Sequence, residues 1–201
     1  MTYDDRRMTK GVLHVCNFYT CNTPLFHATI IWYTQKQGDT AMGLFFRKTK
    51  VTLLAPLTGT LIPLEKVADK AFAQKMLGDG VAVQPEKGEL VAPCDGEVSY
   101  VPDTAHAIAL TEDHGLELLL HVGLNTVDQQ GVGFRALVKT GDRVKAGQPL
   151  LAFDREKLAA CGCDLSTPMV ITNGDKVGKM EKAQEGPVQA GKDTVLTVTL
   201  N

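Results

Sequence analysis

Two histidines within one apolar stretch are the residues best suited to chemistry in this chain. His106 and His121 lie on either side of a turn signal, each within a short apolar segment. A neutral imidazole nitrogen is a good nucleophile near pH 7, because its unperturbed pKa is about 6.5. It can attack a phosphoryl group, and a second imidazole that donates a hydrogen bond can stabilise charge on the transferring oxygens. The pair therefore fits reversible phosphoryl transfer.

The spacing of the two histidines predicts that they face each other across a hairpin. If the turn is the four residues 112–115, Thr111 pairs with Leu116, and His106 then lies directly opposite His121. Directly opposed residues have Cβ atoms about 4.5–5.5 Å apart, so the imidazoles would touch. A register slip of one residue would place the two rings on opposite faces of the sheet.

Side-chain alternation assigns the neighbouring apolar residues to two faces. In this register Ile108 and Leu119 share the histidine face, whereas Leu118, Leu120 and Val122 point into the core. Apolar residues on both faces predict that the histidine face is also covered, by a partner or by other segments of the chain.

Two other interpretations of the histidine pair stay open on residue types alone. Each histidine can simply be a half-buried side chain with its hydrogen bonds satisfied. Alternatively, His106 and His121 can bind Zn²⁺ at about 2.0–2.1 Å, but two ligands are too few for a closed protein site. A partner protein would have to complete such a metal site.

Short apolar runs separated by turn residues predict an all-β fold, an antiparallel β sandwich or barrel, from Val51 onward. Helical patterns are few. The segment Glu65 to Met76 predicts one or two turns of helix. A second short helix is predicted over residues 155–160, with Asp154 as its N-cap and Gly162 just beyond its end.

The glycine-punctuated segment 138–153 predicts two short strands around Gly141 and Gly147, a pattern shared with lipoyl and biotinyl carrier domains. Those domains present a modified lysine between hydrophobic residues at a hairpin tip. The nearest candidate, Lys179, follows Gly178 and lies outside these strands. A zinc peptidase on a related scaffold would need a His-x-His pair, and the sequence contains none.

Composition excludes several classes of protein. The 201 residues carry a formal net charge of -2, so the broad basic excess typical of nucleic-acid binding is missing. The sequence has no run of 18 apolar residues and no signal-peptide pattern. The odd number of cysteines and the lack of a C-x-x-C spacing predict free thiols in a reducing cytoplasm. The cysteines are Cys16, Cys21, Cys94, Cys161 and Cys163.

The first residues of the chain lack the pattern of short apolar runs and turn residues that the remainder shows. Residues 1–41 show little periodicity apart from a possible strand at Phe26 to Tyr33, and we expect them to be a disordered extension or a non-native start, with translation beginning at Met42. Residues 42–50 form a short leader of apolar and basic residues that could touch anionic lipid only weakly. Residues 51–201 are expected to form the functional domain.

Seven ordered sequence blocks resemble the glucose-type enzyme IIA family of the bacterial phosphoenolpyruvate-dependent sugar phosphotransferase system. Together they extend through most of residues 51–201, which makes the resemblance far more specific than any single block. The blocks are APLTG (55–59), FAQKMLGDGVAVQP (72–85), VAPCDGEV (91–98), Thr104 with His106 to Ile108, LLLHVGLNTV (118–127), GVGF (131–134) and TPMVITN (167–173).

The resemblance implies a role for each matching residue. His121 corresponds to the histidine that accepts phosphate on Nε2 from the histidine-containing phosphocarrier protein and passes it to an enzyme IIB. His106 corresponds to the second active-site histidine, and Thr104 to the residue that holds it. The implied activity is that of a phosphotransferase component with a phosphohistidine intermediate.

Four further positions match the rim where partners of the family dock. Asp69 and Phe72 lie on one side of the rim, and Asn125 and Val127 on the other. The family commonly has an acidic residue at the position of Asn125. An Asn still accepts a hydrogen bond from an arginine but lacks the ionic attraction, so weaker or slower docking to a basic partner is expected.

The same resemblance implies the partners of the chain. They are the histidine-containing phosphocarrier protein, an enzyme IIB/IIC sugar permease, and other proteins that such carriers regulate; no nucleic acid is expected. No cofactor is expected to be required, although Zn²⁺ at a partner interface fits the histidine pair.

Overall fold

The computed structural model describes residues 48–201, in which short strands carry almost all of the regular structure. The strands are β1 (Lys50–Leu54), β2 (Gly59–Pro63), β3 (Asp79–Pro85), β4 (Glu89–Val91), β5 (Gly96–Tyr100), β6 (Ala107–Glu112), β7 (Glu117–His121), β8 (Phe134–Ala136), β9 (Arg143–Val144), β10 (Pro149–Phe153), β11 (Thr167–Ile171), β12 (Val177–Lys182), β13 (Gly186–Val188) and β14 (Thr194–Leu200). The α-helices in these residues are α1 (Lys70–Ala73) and α2 (Arg155–Ala160), and short 3-10 helices span Leu64–Lys66, Thr126–Gln129 and Gly174–Lys176.

The strands form one large sheet and two small ones. The large sheet has the order β13-β2-β3-β11-β7-β6-β5-β9, and the small sheets have the orders β1-β14-β12 and β4-β10-β8. Every strand pair within residues 48–201 is antiparallel. The predicted all-β antiparallel sandwich with short helices is confirmed.

Strand β7, which ends at His121, contributes to two apolar clusters. Leu118, Leu120 and the following Val122 belong to the larger core cluster, whereas Leu119 packs against a smaller cluster that includes Phe72. Because successive side chains of a strand point to opposite faces, the two clusters lie on opposite faces of the large sheet at β7. The predicted cover over the histidine face is therefore present within the chain itself.

The register of the β6–β7 hairpin differs by one residue from the prediction. Thr111 pairs with Glu117 rather than Leu116, and His121 pairs with Ala107 rather than His106. The turn is therefore one residue longer than predicted, spanning 112–116 instead of 112–115. A hydrogen bond from the Glu112 N–H to the Leu116 carbonyl, at 2.8 Å, closes it. The Glu112 carboxylate, which is largely buried, is also held inside the turn by the backbone N–H and Nδ1 of His114, at 2.7 and 2.8 Å.

The shifted register changes the face assigned to Ile108. Ile108 pairs with Leu120 and is fully buried in the larger cluster, so its predicted place beside the histidines is wrong. Its apolar side chain gave no information about which face it would take, because both faces of this hairpin are covered by apolar residues.

Short-range signals predicted the second helix well. Helix α2 spans Arg155–Ala160, the Asp154 side chain accepts a hydrogen bond from the Lys157 N–H at 3.0 Å, and Gly162 follows with φ +78°. The predicted helix over residues 65–76 is instead divided into the 3-10 turn Leu64–Lys66 and α1.

The described part of the chain begins close to the predicted domain boundary. Strand β1 starts at Lys50, which pairs with Thr199, one residue before the predicted start at Val51. The expectations for the strand at 26–33, the extension 1–41 and most of the leader 42–50 lie outside the described residues. None of the helices in residues 48–201 has the length and apolar character needed to cross a membrane.

Candidate functional site

The two histidines meet although their strands are not in the predicted register. His121 is the last residue of β7, whereas His106 lies just before β6, where the backbone is no longer regular. Ala105 has φ +51°, which turns the chain at this point, and the Val122 N–H donates to the His106 carbonyl at 2.8 Å. The imidazole centroids are 5.0 Å apart with the ring planes at 70°. The irregular backbone at 105–106 therefore replaces direct strand pairing.

One hydrogen bond distinguishes the nitrogens of His121. Nδ1 donates to the Gly123 carbonyl at 2.7 Å, and a carbonyl oxygen can only accept, so the proton must lie on Nδ1. In the neutral ring Nε2 then carries a lone pair. Sequence reasoning missed Gly123; a glycine two residues after the histidine was the available signal, since its φ of +70° favours glycine.

His106 is held through its own Nδ1. The Thr104 hydroxyl lies 2.6 Å from this nitrogen. A hydroxyl can donate or accept, and when it donates, the neutral ring carries its proton on Nε2. His106 can then act as a hydrogen-bond donor beside the lone pair of His121. The predicted Thr104–His106–His121 group is thus assembled in space.

Both imidazoles favour the neutral form. Burial is the main cause that lowers the pKa of His106 below its ordinary value, and the nearby His121 lowers this pKa further. Burial also lowers the pKa of His121, against the opposing effects of the Gly123 carbonyl and the Asp69 carboxylate. A neutral His121 at pH 7 keeps its Nε2 lone pair available for attack.

Helix α1 forms one wall of the site. The Asp69 carboxylate caps the helix by accepting from the N–H groups of Ala71 and Phe72, at 2.7 and 3.3 Å. The Phe72 ring lies 5.5 Å from the His121 ring, and Phe72 is only 4% exposed. Of the two predicted rim residues on this side, Asp69 is partly exposed, whereas Phe72 lies beneath the imidazole.

The other predicted rim residues follow β7. Asn125 has φ +57° and is exposed, a conformation that Asn tolerates better than most residues, and Val127 is 48% exposed. A groove of about 520 Å³ borders the site on this side and is lined by Asp69, Asn125, Asp128 and Cys163, among others. A protein partner would meet a surface that is partly acidic and partly apolar.

Two exposed apolar residues close to α1 were not predicted individually. Met76 is 73% exposed and Leu77 is 42% exposed, just after the helix that carries Phe72. The sequence signal was available within the block FAQKMLGDGVAVQP, but periodicity could not reveal that these side chains stay outside the core.

The structure offers two histidine nitrogens, but no larger set of metal ligands, at this site. Within residues 48–201 no three His, Cys, Asp or Glu side chains converge as a metal-binding group. Since both Nδ1 atoms are already hydrogen-bonded, only the Nε2 atoms of His106 and His121 could bind Zn²⁺. The expectation that a partner would have to supply the remaining ligands stays a prediction.

The alternative lysine carrier is not favoured by the geometry. Lys179 lies within strand β12, between two other strand residues, and its Nζ contacts the Glu181 carboxylate at 2.6 Å. A swinging arm requires a lysine at a hairpin tip.

Comparison with known proteins identifies the family. The profile of the phosphoenolpyruvate-dependent sugar phosphotransferase system, EIIA 1, matches residues 51–177. The glucose-specific EIIA component of Oceanobacillus iheyensis is 44% identical over 149 residues, which cover 74% of this chain and 90% of the relative. The corresponding component of Staphylococcus aureus is 42% identical over 151 residues, covering 75% of this chain and 91% of the relative.

A solved structure agrees with these sequence matches. The glucose permease IIA from Mycoplasma capricolum superposes with a TM-score of 0.71 and 34% identity, covering 77% of this chain and 99% of that chain. The chain therefore belongs to the EIIA 1 family of the phosphoenolpyruvate-dependent sugar phosphotransferase system, which transfers phosphoryl groups during sugar uptake.

Proposed function

We propose that this chain is a cytoplasmic carrier that accepts a phosphoryl group on Nε2 of His121 and passes it on. The donor is the histidine-containing phosphocarrier protein, and the acceptor is a cysteine of an enzyme IIB. The observation that carries this proposal is the hydrogen bond from His121 Nδ1 to the Gly123 carbonyl, because it leaves Nε2 as the nucleophile.

In the proposed reaction the lone pair of Nε2 attacks phosphorus while the bond between phosphorus and the donor histidine breaks. The donor imidazole takes back the electron pair of that bond. His106, with its proton on Nε2, donates a hydrogen bond to a phosphoryl oxygen and stabilises the charge there. The Thr104 hydroxyl holds the His106 ring in place for this contact.

Two thiols of the described residues are poorly suited to compete as nucleophiles. Burial raises the pKa of the Cys94 thiol to about 12, so it is protonated at neutral pH. Burial and the neighbouring Cys161 and Asp128 also raise the pKa of Cys163, which lines the groove beside the site. A thiol that rarely ionises competes weakly with a neutral imidazole for phosphorus.

The surface around the histidines supports docking of a protein with a basic and apolar face. Asp69 and Asp128 supply carboxylates on the two sides of the groove, and Asn125 supplies a neutral hydrogen-bonding group. Val127 and Met76 supply exposed apolar area. Asp128 offers an ionic contact on the side where Asn125 lacks one.

Phosphoryl acceptance can be tested by incubating the protein with phosphoenolpyruvate, enzyme I and the phosphocarrier protein, followed by intact-mass measurement. The expected result is a gain of one acid-labile phosphate, which disappears in His121→Ala. His106→Ala should still accept phosphate, but its rate should fall by about 10²–10³ because it loses one stabilising donor. His106→Gln keeps a donor and should lose less.

His114→Ala is the matched control, since its imidazole is 53% exposed in the β6–β7 turn and bonded to Glu112. It should accept phosphate at the wild-type rate. Phosphate on His121→Ala, or an unchanged rate for His106→Ala in both acceptance and donation, would contradict the assigned roles.

A further inference from the structure

The loop directly after His121 satisfies its backbone polar groups in a way that fixes the orientation of one peptide. The peptide that joins Gly123 to Leu124 accepts from His121 Nδ1 through its carbonyl, at 2.7 Å. Its N–H, carried by Leu124, donates to the Asp164 carbonyl at 2.7 Å. The peptide plane is therefore held at both ends, and hydrogen bonds arranged in such a chain polarise and strengthen one another.

The two preceding peptides, His121–Val122 and Val122–Gly123, are each held by one hydrogen bond. Val122 donates its N–H to the His106 carbonyl at 2.8 Å, and its own carbonyl accepts from Thr126 Oγ1 at 2.7 Å. Thr126 has no exposed surface, although its side chain is polar. A buried hydroxyl is retained at low cost only where it makes a hydrogen bond, and this one closes the loop of residues 122–126.

The methyl group of Thr126 packs against the same loop. A Cβ atom added to Gly123 would lie 2.7 Å from Thr126 Cγ2 and 3.0 Å from the Asp164 carbonyl oxygen, so the glycine packs against the two residues whose hydrogen bonds hold this loop. A side chain at position 123 would therefore collide with Thr126 and Asp164. Asp164 is itself fixed, since its carboxylate accepts from the Ser166 N–H and hydroxyl at 2.8 and 2.6 Å.

We propose that Thr126 is a positioning residue for phosphoryl transfer, which holds the Gly123 carbonyl against His121 Nδ1 and thereby keeps Nε2 free of its proton. The inference rests on the proposed acceptance of phosphate by His121. Without the Thr126 hydroxyl, the Val122 carbonyl loses its buried partner and the loop can rotate the Gly123 carbonyl away. Part of the His121 population would then carry its proton on Nε2, where it blocks attack.

Thr126→Val tests this role because valine keeps the shape and the methyl contact but removes the hydroxyl. We expect ¹⁵N NMR of the free, unphosphorylated protein to show a mixture of His121 tautomers in this variant, against a single Nδ1–H form in the wild type. Acceptance of phosphate from the phosphocarrier protein should be slower by about 10-fold, as is typical when an orienting partner is lost. Thr126→Ser restores the hydroxyl and should recover most of both properties.

Thr58→Val is the matched control. The Thr58 hydroxyl also bonds a backbone group, the Ala190 N–H at 3.2 Å, but outside the loop of residues 122–126. This variant should leave the tautomer and the rate unchanged. A pure Nδ1–H form in Thr126→Val would overturn the proposal, and so would slow acceptance with an unchanged tautomer, which would indicate an effect on docking.

A measurement on the wild type keeps the proposal testable if Thr126→Val does not fold. The Thr126 hydroxyl proton should exchange slowly with water, and exchange at the rate of a free hydroxyl would overturn the proposal. These NMR measurements test the positioning role of Thr126 independently of whether His121 accepts phosphate. Failure of the wild type to accept phosphate would instead refute the proposed function alone.

Discussion

The two imidazoles have different chemical roles because the Nδ1 atom of each is hydrogen-bonded to a different kind of group. A carbonyl oxygen can only accept, so the Gly123 carbonyl determines where His121 carries its proton. The Thr104 hydroxyl can donate or accept, so His106 is oriented without being restricted to one tautomer. A nucleophile held in one tautomer, beside a hydrogen-bond donor that can change its tautomer, suits a site that must both accept and release a phosphoryl group.

The depressed pKa values of His106 and His121 predict how the stability of the fold depends on pH. The unfolded chain, with ordinary histidine pKa values near 6.5, binds protons more readily than the folded one. Stability should therefore be constant at higher pH and should fall as the pH decreases below about 6.5, towards the folded pKa values. Melting temperatures measured between about pH 8 and pH 5.5 should show this decrease.

The double variant His106→Gln/His121→Gln serves as the comparison for this pH dependence. It removes both depressed groups, so its melting temperature should fall less steeply over the same range. Parallel curves for the two proteins would show that the decrease comes from other groups.

At the level of elements, the shortest helix has a large influence on the site. Helix α1 has only four residues and cannot be stable by itself, so its cap and the packing of Phe72 must hold it. Asp69 provides that cap and also acts on the pKa of His121 through its negative charge. The same carboxylate thus links the position of the Phe72 wall to the protonation of the nucleophile.

Two substitutions of Asp69 should separate its structural and electrostatic effects. Asp69→Asn keeps a side-chain oxygen for the cap but loses the charge, so the pKa of His121 should fall further while stability changes little. Asp69→Ala should lower this pKa as well and should also cost about 1 kcal/mol of unfolding free energy, a typical loss for a helix cap. NMR titration of His121 and denaturant unfolding measure the two effects.

Asp154→Ala is the control, because Asp154 caps α2 in a similar way through Lys157. It should cost a comparable free energy without changing the titration of His121. An unchanged pKa of His121 in both Asp69 variants would contradict the electrostatic role.

The folded unit as a whole depends on strands that are distant in sequence. Strand β1, near the start of the described residues, pairs with β14 at the end of the chain, and Val51 and Leu53 belong to the larger core cluster. The core therefore needs residues from about Lys50 onward.

Two truncations test which part of the chain the fold requires. Deletion of residues 1–41 should leave the melting temperature unchanged, since β1 and its core side chains remain. Deletion of residues 1–54 removes β1 with the buried Val51 and Leu53, so it should strongly destabilise or abolish the fold. Thermal unfolding followed by circular dichroism measures both, and a substantial loss of stability on deleting residues 1–41 would refute their predicted dispensability.

Features that depend on residues close together along the chain could be predicted from the amino-acid order alone. Asp154, the helix that follows it and Gly162 could be predicted because a cap, a short helix and a left-handed residue are specified by local hydrogen bonding. The alternation in β7 placed Leu118 and Leu120 in the core correctly. The all-β fold and the two histidines on neighbouring segments followed from the same short-range patterns, and the sequence blocks pointed to the family.

The way in which the histidines meet depends on contacts between distant segments and could not be predicted from the sequence. The β6–β7 register is shifted by one residue through the bonds around the buried Glu112, and the φ of +51° at Ala105 compensates for this shift. No residue pattern signals either feature, because an alanine is held in the left-handed region only by its surroundings. The enclosure of Gly123 by Thr126 and Asp164 likewise brings together segments about 40 residues apart along the chain. Packing between distant segments selects such arrangements, and local sequence does not contain that information.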